Sequence, residues 1–226
     1  MSELIVSIHI PKTGGVSFRE VLAELAEGHL VQDYADRPLA PASLGRRLRE
    51  RLRRVRLPPG TRVVHGHFIA SKYWSRHPDA RFVTWLREPI ERLVSHYHYW
   101  LREPDPENPT CRRLLEERLT LGEFAALPEL RDVQARFLSG LPIEAFAFVG
   151  LTERYEEGME LFGRLFGLEP GVQAARRNTN PERKGERYEL EPGLRSSLEA
   201  LNRADLALYA RARARYEGLR AAAASG

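Results

Sequence analysis

The chain of 226 residues has the size of one medium domain, and its 42% hydrophobic and 29% charged residues are the balance of a globular protein, not a disordered or fibrous one. No stretch approaches the roughly 20 apolar residues that cross a bilayer, and Cys111, the only cysteine, excludes an internal disulfide. The formal net charge of +4 suits an anionic ligand without naming one.

Residues 4–10 are an apolar run that reads as a buried strand. The run flows through Pro11, Lys12, Thr13, Gly14 and Gly15 into an amphipathic helix with Phe18, Leu22 and Leu25 on one face. Strand, glycine turn and helix N-terminus make an anion cradle, because free backbone N–H groups converge there and the helix dipole adds partial positive charge. The glycines admit a phosphate close to the backbone, Lys12 brings a full charge, and Thr13 and Ser17 bring hydroxyls. In the Walker pattern the lysine follows the glycines; here it precedes them, which argues against an ordinary ATPase or GTPase. Lys12, Lys72 and Lys184 are the only lysines in an arginine-rich chain, so Lys12 reads as a position needing a compact ammonium that can reach one bridging oxygen.

Leu44, Leu48, Leu52 and Val55 predict a second amphipathic helix, ended by Pro58, Pro59 and Gly60. Arg47, Arg51 and Arg54 form a basic stripe opposite the leucines, ordinarily a solvated face. No aromatics interleave it for base stacking, so nucleic acid is not an expected partner. A strand over residues 62–65 then runs into His65, Gly66 and His67. Residues two apart on a strand face the same way, and the two imidazoles have three readings. They could form a metal pair, though no cysteine or carboxylate lies close by to complete it. They could supply a general base at the sheet edge, or donate structurally to backbone.

The strand Arg81–Leu86 delivers Arg87 to the carboxyl edge, where open α/β sheets bind ligands, and Pro89 opens a helix running to about Leu101. An arginine fork suits a terminal phosphate, and the Ser95 hydroxyl can add a further hydrogen bond. Glu91 and Arg92 read as structural hydrogen bonds or a surface pair. His96 and His98 fall on nearly opposite sides of the helix and cannot share a metal; with Tyr97, Tyr99 and Trp100 they form an aromatic cluster, core more than acceptor-site wall. Residues 102–110, with three prolines, predict an exposed loop. A fourth strand over residues 145–151 leads through Thr152 and Tyr155, read as structural, into another helix. Residues 176–186 are a polar, basic loop. The last long helix starts near Pro192, turns Leu194, Leu198, Leu201, Leu208 and Tyr216 inward, and frays over 221–226. The expected fold is α/β: a single domain over 1–226, a central parallel sheet flanked by helices on both faces, and a P-loop-like phosphate loop.

The block His9–Gly15 and the block Leu86–Ser95, in this order on these elements, resemble the sulfotransferases that use 3′-phosphoadenosine 5′-phosphosulfate (PAPS), nearest the heparan sulfate 2-O- and 6-O-sulfotransferase branch. The resemblance implies in-line transfer of a sulfuryl group from PAPS to a hydroxyl of a carbohydrate or glycolipid acceptor. The product would be 3′,5′-adenosine diphosphate (PAP), and no metal is expected. It assigns Pro11, Lys12, Thr13, Gly14, Gly15, Val16 and Ser17 to the 5′-phosphosulfate, and Arg87 and Ser95 to the 3′-phosphate. It makes His67 the base with His65 as assistant, gives Lys12 a catalytic role at the bridging oxygen, and points to Arg177 and Asn178 in a loop closing over the nucleotide. The basic stripe would then steer an acidic glycan or meet a membrane surface carrying a glycolipid acceptor. Family members in animals are membrane-anchored, whereas this chain, with one cysteine and no room for a signal segment before its first strand, is expected to be a soluble, cytoplasmic, bacterial relative. Two other readings stand beside it: a small-molecule kinase using ATP, and a non-enzymatic binder of anionic polymers. Oligomeric state leaves no mark in the sequence.

Overall fold

A computed structural model describes residues 3–36, 38, 56–168 and 188–225. The expected helix at 44–55 with its arginine stripe, and the 176–186 loop with Arg177 and Asn178, lie outside the described residues.

Five strands form one sheet, all parallel: β1 (Ile5–Ile8), β2 (Leu30–Asp33), β3 (Val63–Gly66), β4 (Arg81–Leu86) and β5 (Phe148–Leu151), in the order β2-β3-β1-β4-β5. The sheet is central and parallel as expected, with one strand more than the sequence suggested. β2 was missed because its four residues, Leu-Val-Gln-Asp, pair only with β3 at the sheet edge and are only partly buried. The strand expected over 145–151 begins later, since Ile143–Ala145 is a 3-10 turn. From β1 the chain moves out to β2, returns beside β1 as β3 and crosses to its other side as β4. The carboxyl end of β1 is therefore the topological switch point, where crevices open in such sheets.

Helices cover both faces. The helix α1 (Gly15–Ala26) packs Phe18, Val21 and Leu22 against Ile5, Val63, Val83 and Trp85. On the opposite face Val6, Ile8, Val64 and Phe82 meet Tyr73 of the short α2 (Ser71–Trp74). Alternate residues of a strand thus feed separate cores, which is why these strands read as continuous apolar runs. The helix α3 (Pro89–Arg102) joins α4 (Pro109–Glu116) and α5 (Leu121–Ala126) in a third, helical cluster beside the sheet. Pro89 and Pro109 both sit in first turns, and Asn108 and Thr120 cap α4 and α5.

Further along come α6 (Val133–Phe137), α7 (Tyr155–Phe166), α8 (Pro192–Leu201) and α9 (Arg203–Ser225). The single C-terminal helix expected from the sequence is therefore two. Asn202 makes the break: its side-chain amide donates to the Leu198 carbonyl at 2.9 Å and accepts from the Asp132 amide at 3.2 Å. The expected fraying over 221–226 is not seen as far as Ser225, which is still helical. No helix among the described residues is long and apolar enough to cross a membrane.

Candidate active site

The site starts in the link from β1 to α1. Two consecutive bends require left-handed backbone, at Lys12 (φ 70°) and Gly14 (φ 91°). Glycine takes this conformation at no steric cost, whereas a lysine there stores strain of about 1 kcal/mol or more. Gly15 is dictated differently: a Cβ there would lie 2.1 Å from the His9 ring. The turn is pinned from below. The Thr13 hydroxyl donates to the Ile10 carbonyl at 2.9 Å, and the Thr152 hydroxyl is shared between the carbonyls of Thr13 (2.9 Å) and Leu86 (3.0 Å). Tyr155 packs against Gly14. The segment 152–155, read as structural, does support the loop at 11–17 directly. At the mouth, α1 has no side-chain cap and no acidic residue in its first turn. Its N-terminal field is left to whatever anion arrives.

Arg87 reaches this loop. One guanidinium nitrogen (Nη1) donates to the Lys12 carbonyl at 3.4 Å, so two blocks 75 positions apart in sequence are in contact. Gln134 of α6 holds the Arg87 main chain on both sides: its Oε1 accepts from the Arg87 amide at 3.0 Å and its Nε2 donates to the Arg87 carbonyl at 2.8 Å. The Lys12 ammonium lies 3.8 Å from the centroid of the Tyr99 ring. Burial, then the charges of Arg87 and Arg102, pull its pKa down to about 8. Tyr99, of the aromatic cluster read as core or acceptor-site wall, thus lies against Lys12. Ser17 and Ser95 are both buried, and Ser95 follows Arg92 by three residues, on the same face of α3.

Next to the loop stands a histidine cluster. His65 is 0% exposed, hydrogen-bonded through Nδ1 to the Ser7 hydroxyl at 2.9 Å and stacked on His9 with centroids 5.1 Å apart. His67 lies 4.5 Å from His9 and 4.7 Å from Tyr34, ring to ring, and its Nε2 is buried with no hydrogen-bond partner among the described residues. His9 in turn shares a 3.1 Å hydrogen bond with the Tyr34 hydroxyl, which also bonds Arg19. Burial lowers all three imidazoles: His65 to about 3, His67 to about 4, and His9 well below its ordinary value, with the neighbouring histidines adding to the effect on His9 and His65. The cluster is therefore neutral at pH 7. Among the described residues no group of three His, Cys, Asp or Glu side chains is arranged to hold a metal.

Of the two readings of Arg92, structural hydrogen bonds or a surface pair, the surface pair is not seen. Arg92 is 0% exposed, with Nη1 3.4 Å from Nδ1 of His96 and with Nε and Nη2 unpartnered among the described residues. Glu91 does make structural hydrogen bonds, accepting from the Tyr188 amide at 3.1 and 3.2 Å. His96 packs on Trp100 and Phe124 while His98 stacks on Tyr188, the opposite-sided arrangement that helical spacing demanded. Sequence reasoning gave no role to His9, Tyr34, Arg19 or Gln134. His9 sits within the loop motif itself, whereas Gln134 lies 47 positions from its partner and carries no local signal.

No known family model and no curated protein matches this chain. Two solved structures resemble it in fold. A sulfotransferase from Alicyclobacillus acidocaldarius is 19% identical, with a TM-score of 0.46 over 97% of this chain and 96% of that one. Mouse sulfotransferase SULT7A1 complexed with PAP is 12% identical, with a TM-score of 0.46 over 99% of this chain and 89% of that one.

Proposed function

We propose that the chain is a sulfotransferase that moves a sulfuryl group from PAPS to a hydroxyl of a carbohydrate or glycolipid acceptor. One observation carries this reading: the Arg87 guanidinium meets the main chain of Lys12, bringing a buried arginine beside a helix N-terminus that has no side-chain cap. A nucleoside carrying phosphate at both its 5′ and 3′ positions has use for both halves; ATP has use for one. The donor set fits such a ligand, since Lys12, Arg87 and the α1 N-terminus are all hydrogen-bond donors or positive ends, with no acidic residue in the first turn of α1.

In this reading the 5′-phosphosulfate lies on residues 11–17 and the 3′-phosphate against Arg87 and Ser95. PAPS supplies an activated sulfuryl group on a phosphosulfate anhydride. Lys12 holds its proton toward the bridging oxygen and neutralises charge that develops there, while the loop amides provide fixed dipoles. His67, neutral and with Nε2 unengaged, takes the proton of the acceptor hydroxyl. His65, fully buried against Ser7, orients the cluster and does not touch the acceptor. Tyr34, 36% exposed, borders the base at the mouth.

Thermal-shift titration with PAP and with ADP tests the donor. PAP is expected to raise the melting temperature and ADP to do so far less, because only PAP engages Arg87. Equal shifts would return the kinase reading. A screen of sugars and lipid-linked sugars with labelled PAPS then identifies the acceptor.

A further inference from the structure

Arg92 is a costly side chain to bury. Its guanidinium is wholly buried, yet two of its three nitrogens have no partner among the described residues, and the third faces only the ring nitrogen of His96 at 3.4 Å. Buried guanidinium groups are ordinarily matched to a carboxylate, because an unmatched charge out of water costs several kcal/mol. Asp205, the carboxylate whose charge acts on Arg92, hydrogen-bonds elsewhere: its two oxygens accept the amides of Gln134 (3.1 Å) and Ala135 (2.7 Å) at the start of α6. The remaining charges that act on Arg92 are those of Arg87 and Arg136, both of its own sign. His96 supplies no charge, since burial and the adjoining cations hold it neutral. Arg92 is thus a cation with no hydrogen-bonded counterion, opposed only at a distance by Asp205 and next to the residue that would receive a phosphate.

We propose that Arg92 is a positioning residue for the 3′-phosphate: a buried cation with no hydrogen-bonded counterion that favours nucleotides phosphorylated at the 3′ position through Arg87 and Ser95, an inference that rests on the sulfotransferase reading. Three features of the fold support it. Arg92, Ser95 and His96 share one face of α3, at spacings of three and four residues. The Arg92 amide continues the first turn that Glu88 opens, donating to the Glu88 carbonyl at 2.9 Å, which ties its backbone to the segment carrying Arg87. Charge interactions in a dry region reach beyond contact distance, so Arg92 can act without touching the ligand.

The experiment compares affinities for PAP and for 5′-AMP, which lacks the 3′-phosphate, by titration calorimetry on the intact chain. The readout is the ratio of the two affinities, which a general loss of structure does not shift in one direction. R92Q is expected to lower the preference for PAP about tenfold, and R92K to keep most of it. D205N, which removes the only opposing charge, is expected to raise the preference. An unchanged ratio in R92Q overturns the inference, as does a preference that D205N leaves unchanged or lowers. If R92Q does not fold, the sign of the D205N effect decides alone. A wild-type chain that binds PAP no better than 5′-AMP defeats the sulfotransferase reading itself, a result distinct from either of these.

Discussion

The two halves of the site keep their buried titratable groups in opposite charge states. On the side of β1 and β3, His9, His65 and His67 are so desolvated that their imidazoles stay neutral far below pH 6.5. On the side of α3, Lys12, Arg87 and Arg92 are also buried or nearly so, yet at pH 7 they hold their charge. Burial alone does not decide the outcome. An imidazole's ordinary pKa is close enough to neutrality for desolvation to strip its proton, whereas an ammonium or guanidinium starts too high for that. One half is thereby neutral at pH 7 and the other cationic.

Removing one representative of each half should separate the two roles. H67A is expected to lower turnover about 10²- to 10⁴-fold, the usual contribution of a general base, while leaving PAP affinity within about twofold. R87A should do the reverse in part, weakening PAP about 30-fold or more through loss of a buried, charge-assisted contact, as read by calorimetry. If H67A weakens PAP as much as R87A does, the halves are not separate.

The pH dependence sharpens the contrast. In the free enzyme kcat/KM should be level from about pH 5 to about pH 8, because His67 protonates only near 4 and Lys12 loses its proton near 8. An acid limb at pH 6.5 would remove His67 from the role of base. Stability follows the same groups with a definite sign. Above pH 6.5 the histidines are neutral in both folded and unfolded chains and contribute nothing. As the pH falls from 6.5 toward 3, only the unfolded chain takes up their protons, so stability is lost through that window. Between pH 8 and 10.5 the unfolded chain keeps the Lys12 proton that the folded chain releases, and stability gains with rising pH. Urea denaturation across these windows checks both slopes.

The contrast also sets what could be read from the sequence. The loop at 11–17, Arg87 and the histidines at 65 and 67 were legible because each depends on a strand end and its next few residues. β4 was predicted residue for residue, since six mostly apolar positions sit between turns. Gln134, the break at Asn202 and the burial of Arg92 were not legible. Gln134 and Asn202 act through partners 47 and 70 positions away. Charged residues on a helix read as solvated unless something outside the helix covers them, and α6 and α9 carry the groups that meet Arg92.

The smallest expected effect tests whether the two halves are mechanically joined. Thr152 is the stitch between them, since its single hydroxyl serves the carbonyl of Thr13 in the loop at 11–17 and that of Leu86 just before Arg87. Valine has nearly the same shape but no donor, so T152V leaves both buried carbonyls short of a partner at a cost of about 1–3 kcal/mol in denaturant unfolding. If the stitch also sets the spacing of the two halves, PAP affinity should fall a few-fold, and T152S should restore both quantities. Lost stability with unchanged PAP affinity would mean that the phosphate loop and the Arg87 segment hold their relative positions without Thr152. The hydrogen bond from Arg87 to the Lys12 carbonyl, together with the Gln134 clamp, would then suffice to join them.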